Sequence, residues 1–388
     1  MTERKPGAAT GLVQGGRRKD WRGRLVNPPV QRASTILFDN VEELERARPG
    51  LGQWNYGLQG TATHWALSEA LTELEPGAAG TALYSSGLAA VSGALLAVLS
   101  TGDQLFVVDS VYGPTRKFCD TILKRLGIDV VYYDPLAGAE VADQFTERTR
   151  AILLESPGSM TMEVQDVPGI CAAAHARDIV TLLDNTWATP LFFPALAAGV
   201  DISIQALSKY VGGHSDVMIG SATANAKHFP RLQRTGWDLG HAVSPDDAWL
   251  GSRGLRTLGV RLKQHKESAL KIAGWLKGQP RVGRLLHPAF PDCPGHEYWK
   301  RDFKGSSGLF SFELKGADRE TRTCFIDSLT LFGIGFSWGG YESLVLPMDP
   351  TRSVSKAPAE NLIRLQVGLE DPDDLIADLA AAFDQIGR

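Results

Sequence analysis

Val200-Asp201-Ile202-Ser203-Ile204-Gln205-Ala206-Leu207-Ser208-Lys209 is a β-rich apolar run that ends in a lysine, and Tyr210-Val211-Gly212-Gly213-His214-Ser215-Asp216 follows it as a glycine-rich turn. Upstream, Asp178-Ile179-Val180-Thr181-Leu182-Leu183 is a second such run, ending in Asp184-Asn185-Thr186. Branched aliphatic runs of this length, bounded by turn residues, read as strands. Strands that are apolar throughout, rather than alternating, are covered on both faces. The two runs therefore point to a parallel or mixed sheet between layers of helix, the α/β class. Sites in such sheets lie beyond the carboxyl ends of the strands, which is where Lys209 and Asp184 fall.

The pattern continues outward from these runs. Between about 61 and 245, helix-like stretches (67–74, 88–99, 115–126, 170–175) alternate with strand-like ones (80–84, 104–108, 129–133, 151–154, 179–183, 202–207), as a sheet sandwiched by helices requires. After about 250 the pattern changes. A long amphipathic stretch at 255–276 comes first, then strands at 308–314, 333–336 and 362–367 and helices at 319–328 and 373–386, which read as a smaller α/β domain. Residues 1–60 are broken by Asn27-Pro28-Pro29, Pro49-Gly50 and Gly57 and cannot bury themselves. Their aromatics (Trp21, Phe38, Trp54, Tyr56) favour an arm laid against a neighbouring subunit. The expected division is thus an arm (1–60), a large domain (61–254) and a small C-terminal domain (255–388).

Bulk properties exclude several classes. The 388 residues carry 43% apolar and 22% charged side chains and a net charge of −4, with a pI of about 6.1. These are values of an ordinary globular protein and offer no nucleic-acid surface. The basic cluster Arg17, Arg18, Lys19, Arg22 and Arg24 is interrupted by Asp20 and reads as a solvated arm. The four cysteines (Cys119, Cys171, Cys293, Cys324) are far apart, which fits a reducing compartment. Cys293-Pro-Gly-His296 lacks a second ligand pair and reads as a loop, so no metal is expected. No apolar run reaches the roughly 18 residues of a membrane span, and no signal peptide opens the chain. The expected placement is cytoplasmic.

A lysine and an aspartate at neighbouring strand ends are what pyridoxal 5′-phosphate (PLP) needs. The amine forms a Schiff base, and the carboxylate keeps the pyridine nitrogen protonated so that the ring accepts electrons. Taken singly, a strand-end lysine is a solvated surface group and a strand-end aspartate starts a turn. Other segments join them. Ser85-Ser86-Gly87-Leu88 opens an Ala/Leu-rich helix, where backbone N–H groups suit a phosphate. The same residues also read as an ordinary serine N-cap. Tyr112, in Asp109-Ser110-Val111-Tyr112-Gly113, is placed to lie over a cofactor ring or to be a half-buried loop tyrosine. Arg364 interrupts the strand-like Asn361–Val367 run and suits a substrate carboxylate, or an internal pair with Glu370 or Asp371. Ser337-Trp338-Gly339-Gly340 places an indole in a flexible loop, and Glu155-Ser156-Pro157-Gly158-Ser159 lies at the mouth of the site.

With these segments together, the chain from about Trp54 to its C-terminus resembles the Cys/Met-metabolism PLP-dependent enzymes (fold type I, aspartate-aminotransferase-like). Further blocks carry the resemblance: Thr61-Ala62-Thr63-His64, Asp184-Asn185-Thr186-Trp187, Ser252-Arg253-Gly254-Leu255-Arg256-Thr257-Leu258 and Tyr341-Glu342-Ser343. Two loops look like the branch that eliminates at Cβ. Relatives acting at Cγ read E-S-P-x-N-P where this chain has Glu155-Ser156-Pro157-Gly158-Ser159-Met160, and S-L-G-G where it has Ser337-Trp338-Gly339-Gly340. The resemblance implies a large domain with a mostly parallel seven-stranded sheet, and β-elimination of L-cystathionine to homocysteine, pyruvate and ammonia. The alternatives are another C–S lyase of the family and a PLP-binding regulator with weak catalysis.

The resemblance also implies residue roles. Lys209 is the Schiff-base lysine and proton carrier, Asp184 pairs with the pyridinium, and Tyr112 stacks on the ring. Ser86, Gly87, Leu88 and Ser208 hold phosphate, and Arg364 binds the α-carboxylate. Ser337 and Trp338 wall the substrate, and Tyr56 arrives from a neighbouring subunit. A thioether amino acid is the implied substrate and a homotetramer built from dimers the implied assembly. The family reads Y-x-R where this chain has Tyr56-Gly57-Leu58, so a phosphate-clamping arginine is replaced by leucine, and Ala206 stands where many relatives have a serine.

Overall fold

The computed structural model describes residues 7–387. Its first sheet has seven strands: β1 (Gly80–Tyr84), β2 (Gln104–Val108), β3 (Asp129–Tyr133), β4 (Thr149–Glu155), β5 (Val180–Asp184), β6 (Ile202–Gln205) and β7 (Gly220–Ala224), in the spatial order β1-β7-β6-β5-β4-β2-β3. β7 runs antiparallel to β1 and β6, while the pairs joining β6, β5, β4, β2 and β3 are parallel. β2 and β6 are buried at every position, as the unbroken apolar runs predicted. β7 was not legible. Its Gly-Ser-Ala-Thr-Ala sequence has no branched aliphatic residue, and its glycine is required by contact, since a Cβ on Gly220 would meet the Ser86 carbonyl oxygen at 2.2 Å.

The second sheet comprises β8 (Val282–Leu286), β9 (Leu309–Leu314), β10 (Gly333–Ile334), β11 (Leu344–Met348) and β12 (Leu362–Gln366), in the order β10-β11-β12-β9-β8. Phe310 and Phe312 from β9 pack with Phe325, Leu375, Leu379 and Phe383 beneath it. β8 and β11 escaped the sequence reading because Gly283, Arg284 and Pro347 dilute their apolar pattern.

One helix of 33 residues, Pro245–Lys277, joins the two sheets. Its start carries Ser244 as N-cap, Pro245 in the first turn and Asp246 and Asp247 at the positive end of the helix dipole, and Lys277 sits in its last turn. The helix runs unbroken through residues 254 and 255. Arg261 on it is buried and donates to the carbonyls of Tyr210 (2.6 Å), Val211 (3.2 Å) and Gly254 (2.7 Å), which clamps the turn after Lys209.

The N-terminal segment divides in two. Leu12 and Trp21 are buried against this chain's own 62–74 helix, Arg18 pairs with Glu69, and Trp54 packs edge-on to Trp65 at 4.8 Å. Leu25, Val26, Leu37, Val41 and Leu44 stay exposed. Among the described residues no helix is long and apolar enough to cross a membrane. Cys293 donates through Sγ to the Met162 carbonyl in the loop after β4, and His296 bonds the Pro288 carbonyl within its own loop.

Candidate active site

The carboxyl ends of β2, β4, β5 and β6 open on one edge of the large sheet, where a cavity of about 570 Å³ is lined by residues from both sheets. That volume suits a cofactor with part of a substrate. Lys209 follows β6. Its Nζ donates to Ser337 Oγ at 2.5 Å and lies 5.5 Å from the centre of the Trp338 ring. Burial, reinforced by the Arg364 charge and opposed by that of Asp184, lowers its pKa to about 8.

Asp184 ends β5. Thr186 donates to its Oδ1 from N (3.0 Å) and from Oγ1 (2.5 Å), which leaves Oδ2 to accept a further N–H. The same Thr186 Oγ1 accepts the Ala206 N–H at 2.9 Å, so one hydroxyl links the aspartate to the segment that carries the lysine. Burial raises Asp184, and the Thr186 bonds and Lys209 oppose it. Thr186 escaped the sequence reading, because a threonine after a strand-end aspartate carries no signal until the neighbouring strand is known.

Tyr112 caps the 113–118 helix, stands 43% exposed over the cavity, and donates its backbone N–H to Glu155 Oε2 at 2.7 Å. Ser86 caps the Gly87–Val98 helix by accepting the Ala89 N–H at 3.1 Å, and Ser86, Gly87 and Leu88 line one end of the cavity. Gly87 is sterically fixed: a Cβ there would meet the Ala206 Cβ at 2.5 Å. Ser208 also lines the cavity. Its hydroxyl accepts from Ile219 N (2.9 Å) and donates to Ile219 O (3.1 Å), which locks the strand-to-turn corner.

Arg364, central in β12, is buried and donates from Nη2 to the Ser337 carbonyl at 3.0 Å. Burial lowers its pKa to about 10, so it stays charged at neutral pH. Glu370, a partner the sequence allowed, instead accepts from Ser343 N and Oγ. Ser337 therefore touches both Lys209 and Arg364, and it does so at φ +86°, a left-handed conformation strained for serine. Tyr56 and Leu58 are absent from this lining. Tyr56 is 49% exposed beside Ser34, and Leu58 lines a separate cavity with His64, Trp65 and Trp237.

The residues present fit PLP. A half-buried strand-end carboxylate has an oxygen to spare, an amine of lowered pKa lies in the same cavity, and a helix N-terminus between small side chains closes one end. Fold and site together define a PLP-dependent enzyme of fold type I. The family model for Cys/Met metabolism PLP-dependent enzymes matches residues 9–384, and the chain belongs to that family. It is 47% identical to a cystathionine β-lyase of Escherichia coli and 45% identical to one of Haemophilus influenzae, each alignment covering 97% of this chain and 98% of the relative. A crystal structure of cystathionine γ-lyase from Lactobacillus plantarum, complexed with L-serine, superposes with a TM-score of 0.91 at 30% identity, over 98% of this chain and 99% of that one.

Proposed function

We propose that this protein is a carbon–sulfur lyase that cleaves the Cβ–S bond of L-cystathionine, releasing homocysteine, pyruvate and ammonia. The observation that carries the reading is that Lys209 Nζ and the Arg364 guanidinium bond the hydroxyl and the carbonyl of one residue, Ser337, which lines the cavity. A proton carrier is thereby set beside an anchor for an α-carboxylate. Bound PLP supplies the sink for the electron pair left when a Cα–H bond breaks.

The chain's own residues do the rest. Arg364 offers its guanidinium fork to the substrate carboxylate. Asp184 Oδ2 keeps the proton on the ring nitrogen. Lys209, its amine largely deprotonated above about pH 8, takes the Cα proton and returns it to the sulfur as the Cβ–S bond breaks. Tyr112, Ser337 and Trp338 line the cavity, where Tyr112 would pack against a bound ring and Ser337 and Trp338 would wall the substrate. Ser86, Gly87, Leu88 and Ser208 hold the phosphate end, and Tyr56 reaches it from a neighbouring protomer in a homotetramer of dimers. The buried, unpaired Cys119, Cys171 and Cys293 accord with work in the cytoplasm.

The test is product analysis with L-cystathionine. Pyruvate and homocysteine in equal amounts are expected, with a fall of about 10³-fold or more in Lys209→Ala. Release of 2-oxobutyrate would identify γ-elimination instead, and cofactor binding without turnover would indicate a regulatory protein. Full activity in Lys209→Ala would overturn the mechanism.

A further inference from the structure

The cavity contains a buried carboxyl that the mechanism above does not use. Glu155 ends β4 and lies directly across from Asp184 in the β4–β5 register. Neighbouring strands are about 4.8 Å apart, and residues paired in register share a face of the sheet, so the two carboxyls are near neighbours at the floor of the cavity. Glu155 is 8% exposed. Its Oε2 accepts the backbone N–H of Tyr112, the residue whose ring stands over the cofactor site. Its own backbone N–H is fixed by Gln165 Oε1 at 3.2 Å, and Gln165 in turn donates to Tyr133 OH at 3.0 Å, so the strand end has little freedom.

The two carboxyls have different surroundings. Asp184 receives two hydrogen bonds from Thr186 and feels the Lys209 charge, all of which favour its anion. The groups acting on Glu155 are Asp184 from β5, which opposes its anion, and the Tyr112 N–H from the loop after β2, the Ser159 hydroxyl from the loop after β4 and Arg352 from the loop after β11, which favour it. Arg352 is committed elsewhere, donating to Thr161 Oγ1 at 2.5 Å and Glu163 Oε1 at 2.6 Å. Two carboxyls one strand apart, one buried and one half-buried, favour a single shared charge over two. Burial first, and then the Asp184 charge, pushes Glu155 well above the usual carboxylate range.

We propose that Glu155 is a positioning residue that works as the neutral acid, holding the Tyr112 backbone in place and leaving Asp184 as the charged member of this pair of strand-end carboxyls. This rests on PLP occupying the cavity and is independent of which thioether is cleaved. A protonated carboxyl accepts the Tyr112 N–H through its carbonyl oxygen, and a glutamine presents the same acceptor with the same neutral charge.

The experiment uses the PLP-loaded protein without substrate and follows the pH midpoint of its visible absorption. In Glu155→Gln the midpoint is expected within about 0.3 units of the native one, since no charge is lost. An ionised Glu155 would instead stabilise the protonated cofactor, and its removal would lower the midpoint by about a unit or more, overturning the proposal. Glu155→Ala removes the acceptor for the Tyr112 N–H. It is expected to shift the visible band and to lower kcat about tenfold or more with a smaller change in KM. A native band and native kcat in Glu155→Ala would show that Glu155 does not position Tyr112. If Glu155→Ala does not fold, the glutamine titration still decides the charge state. Failure of the cystathionine assignment would leave these spectra unaffected, so the two readings fail separately.

Discussion

At the scale of single residues, the site turns on how burial changes the chemistry of one amine. Lys209 has to lose a proton before it can capture the cofactor aldehyde, and its pKa is lowered to about 8. A lysine near its usual value of about 10.4 would be almost wholly protonated at pH 7, whereas one near 8 is about one-tenth neutral. The rate at which the apoprotein captures PLP, followed by visible absorbance, should therefore rise with pH, level off above about 8 and fall roughly tenfold per unit well below it. A rate still climbing through pH 9.5 would show that Lys209 is not perturbed. The sequence marked Lys209 and Asp184 only as a pair at the ends of two apolar runs, and Arg364 because a central strand rarely carries an arginine without a partner. Glu155 and Thr186 were not, because their significance lies in the register Glu155↔Asp184 and in the reach of Thr186 to Ala206.

At the scale of elements, loops from the two sheets are fastened to one another by charged groups. Asp109, just past β2, is 1% exposed and accepts N–H bonds from Ser353 (2.9 Å), Val354 (3.0 Å) and Ser355 (3.0 Å), while Arg116 donates to it at 2.6 Å. Burial pushes this carboxyl upward, but the Val354 and Ser355 N–H groups with Arg116 outweigh it, and its pKa falls to about 2. A folded-state pKa below the unfolded value of about 3.9 means that the stabilisation is complete above about pH 4 and disappears as the pH falls through about 2. Asp109→Asn should thus cost about 1.5–3 kcal/mol at pH 7 and far less near pH 2, measured by denaturant titration at both. An equal loss at the two pH values would mean that shape rather than charge matters there. The sequence sets Asp109 directly after the strand-like 104–108 stretch but could not bring residues 353–355 to it, because no local pattern encodes contact between segments so far apart in the chain.

At the scale of the whole molecule, the described residues lining the cavity include no arginine for a phosphate. Its lining supplies backbone N–H groups and hydroxyls at the Ser86–Leu88 end, and Lys209 is the only lysine or arginine among the lining residues. Leu58 occupies the position where the family pattern has arginine, and it lines a different cavity of this chain. If the 56–60 segment of a neighbouring protomer reaches the phosphate, Leu58→Arg restores a charge-assisted contact of about 1.5–3 kcal/mol. PLP affinity, measured by equilibrium dialysis or by quenching of tryptophan fluorescence, should then rise about 10- to 100-fold. An unchanged affinity would place this segment away from the phosphate. Leu25, Val26, Leu37, Val41 and Leu44 are exposed in the isolated chain and are the apolar surface available to such a contact.

The sequence alone determined the α/β class, most strand positions in the larger sheet and the pairing of a lysine with an aspartate at strand ends. These follow from side-chain periodicity and composition, which are local. Only the tertiary structure decided that β7 runs antiparallel between β1 and β6, that Ser337 in a strained backbone joins Lys209 to Arg364, and that a second carboxyl lies beside Asp184. Those facts depend on strand order, register and close approach at Gly87 and Gly220, which are set when distant segments pack together and leave no periodic trace in the chain.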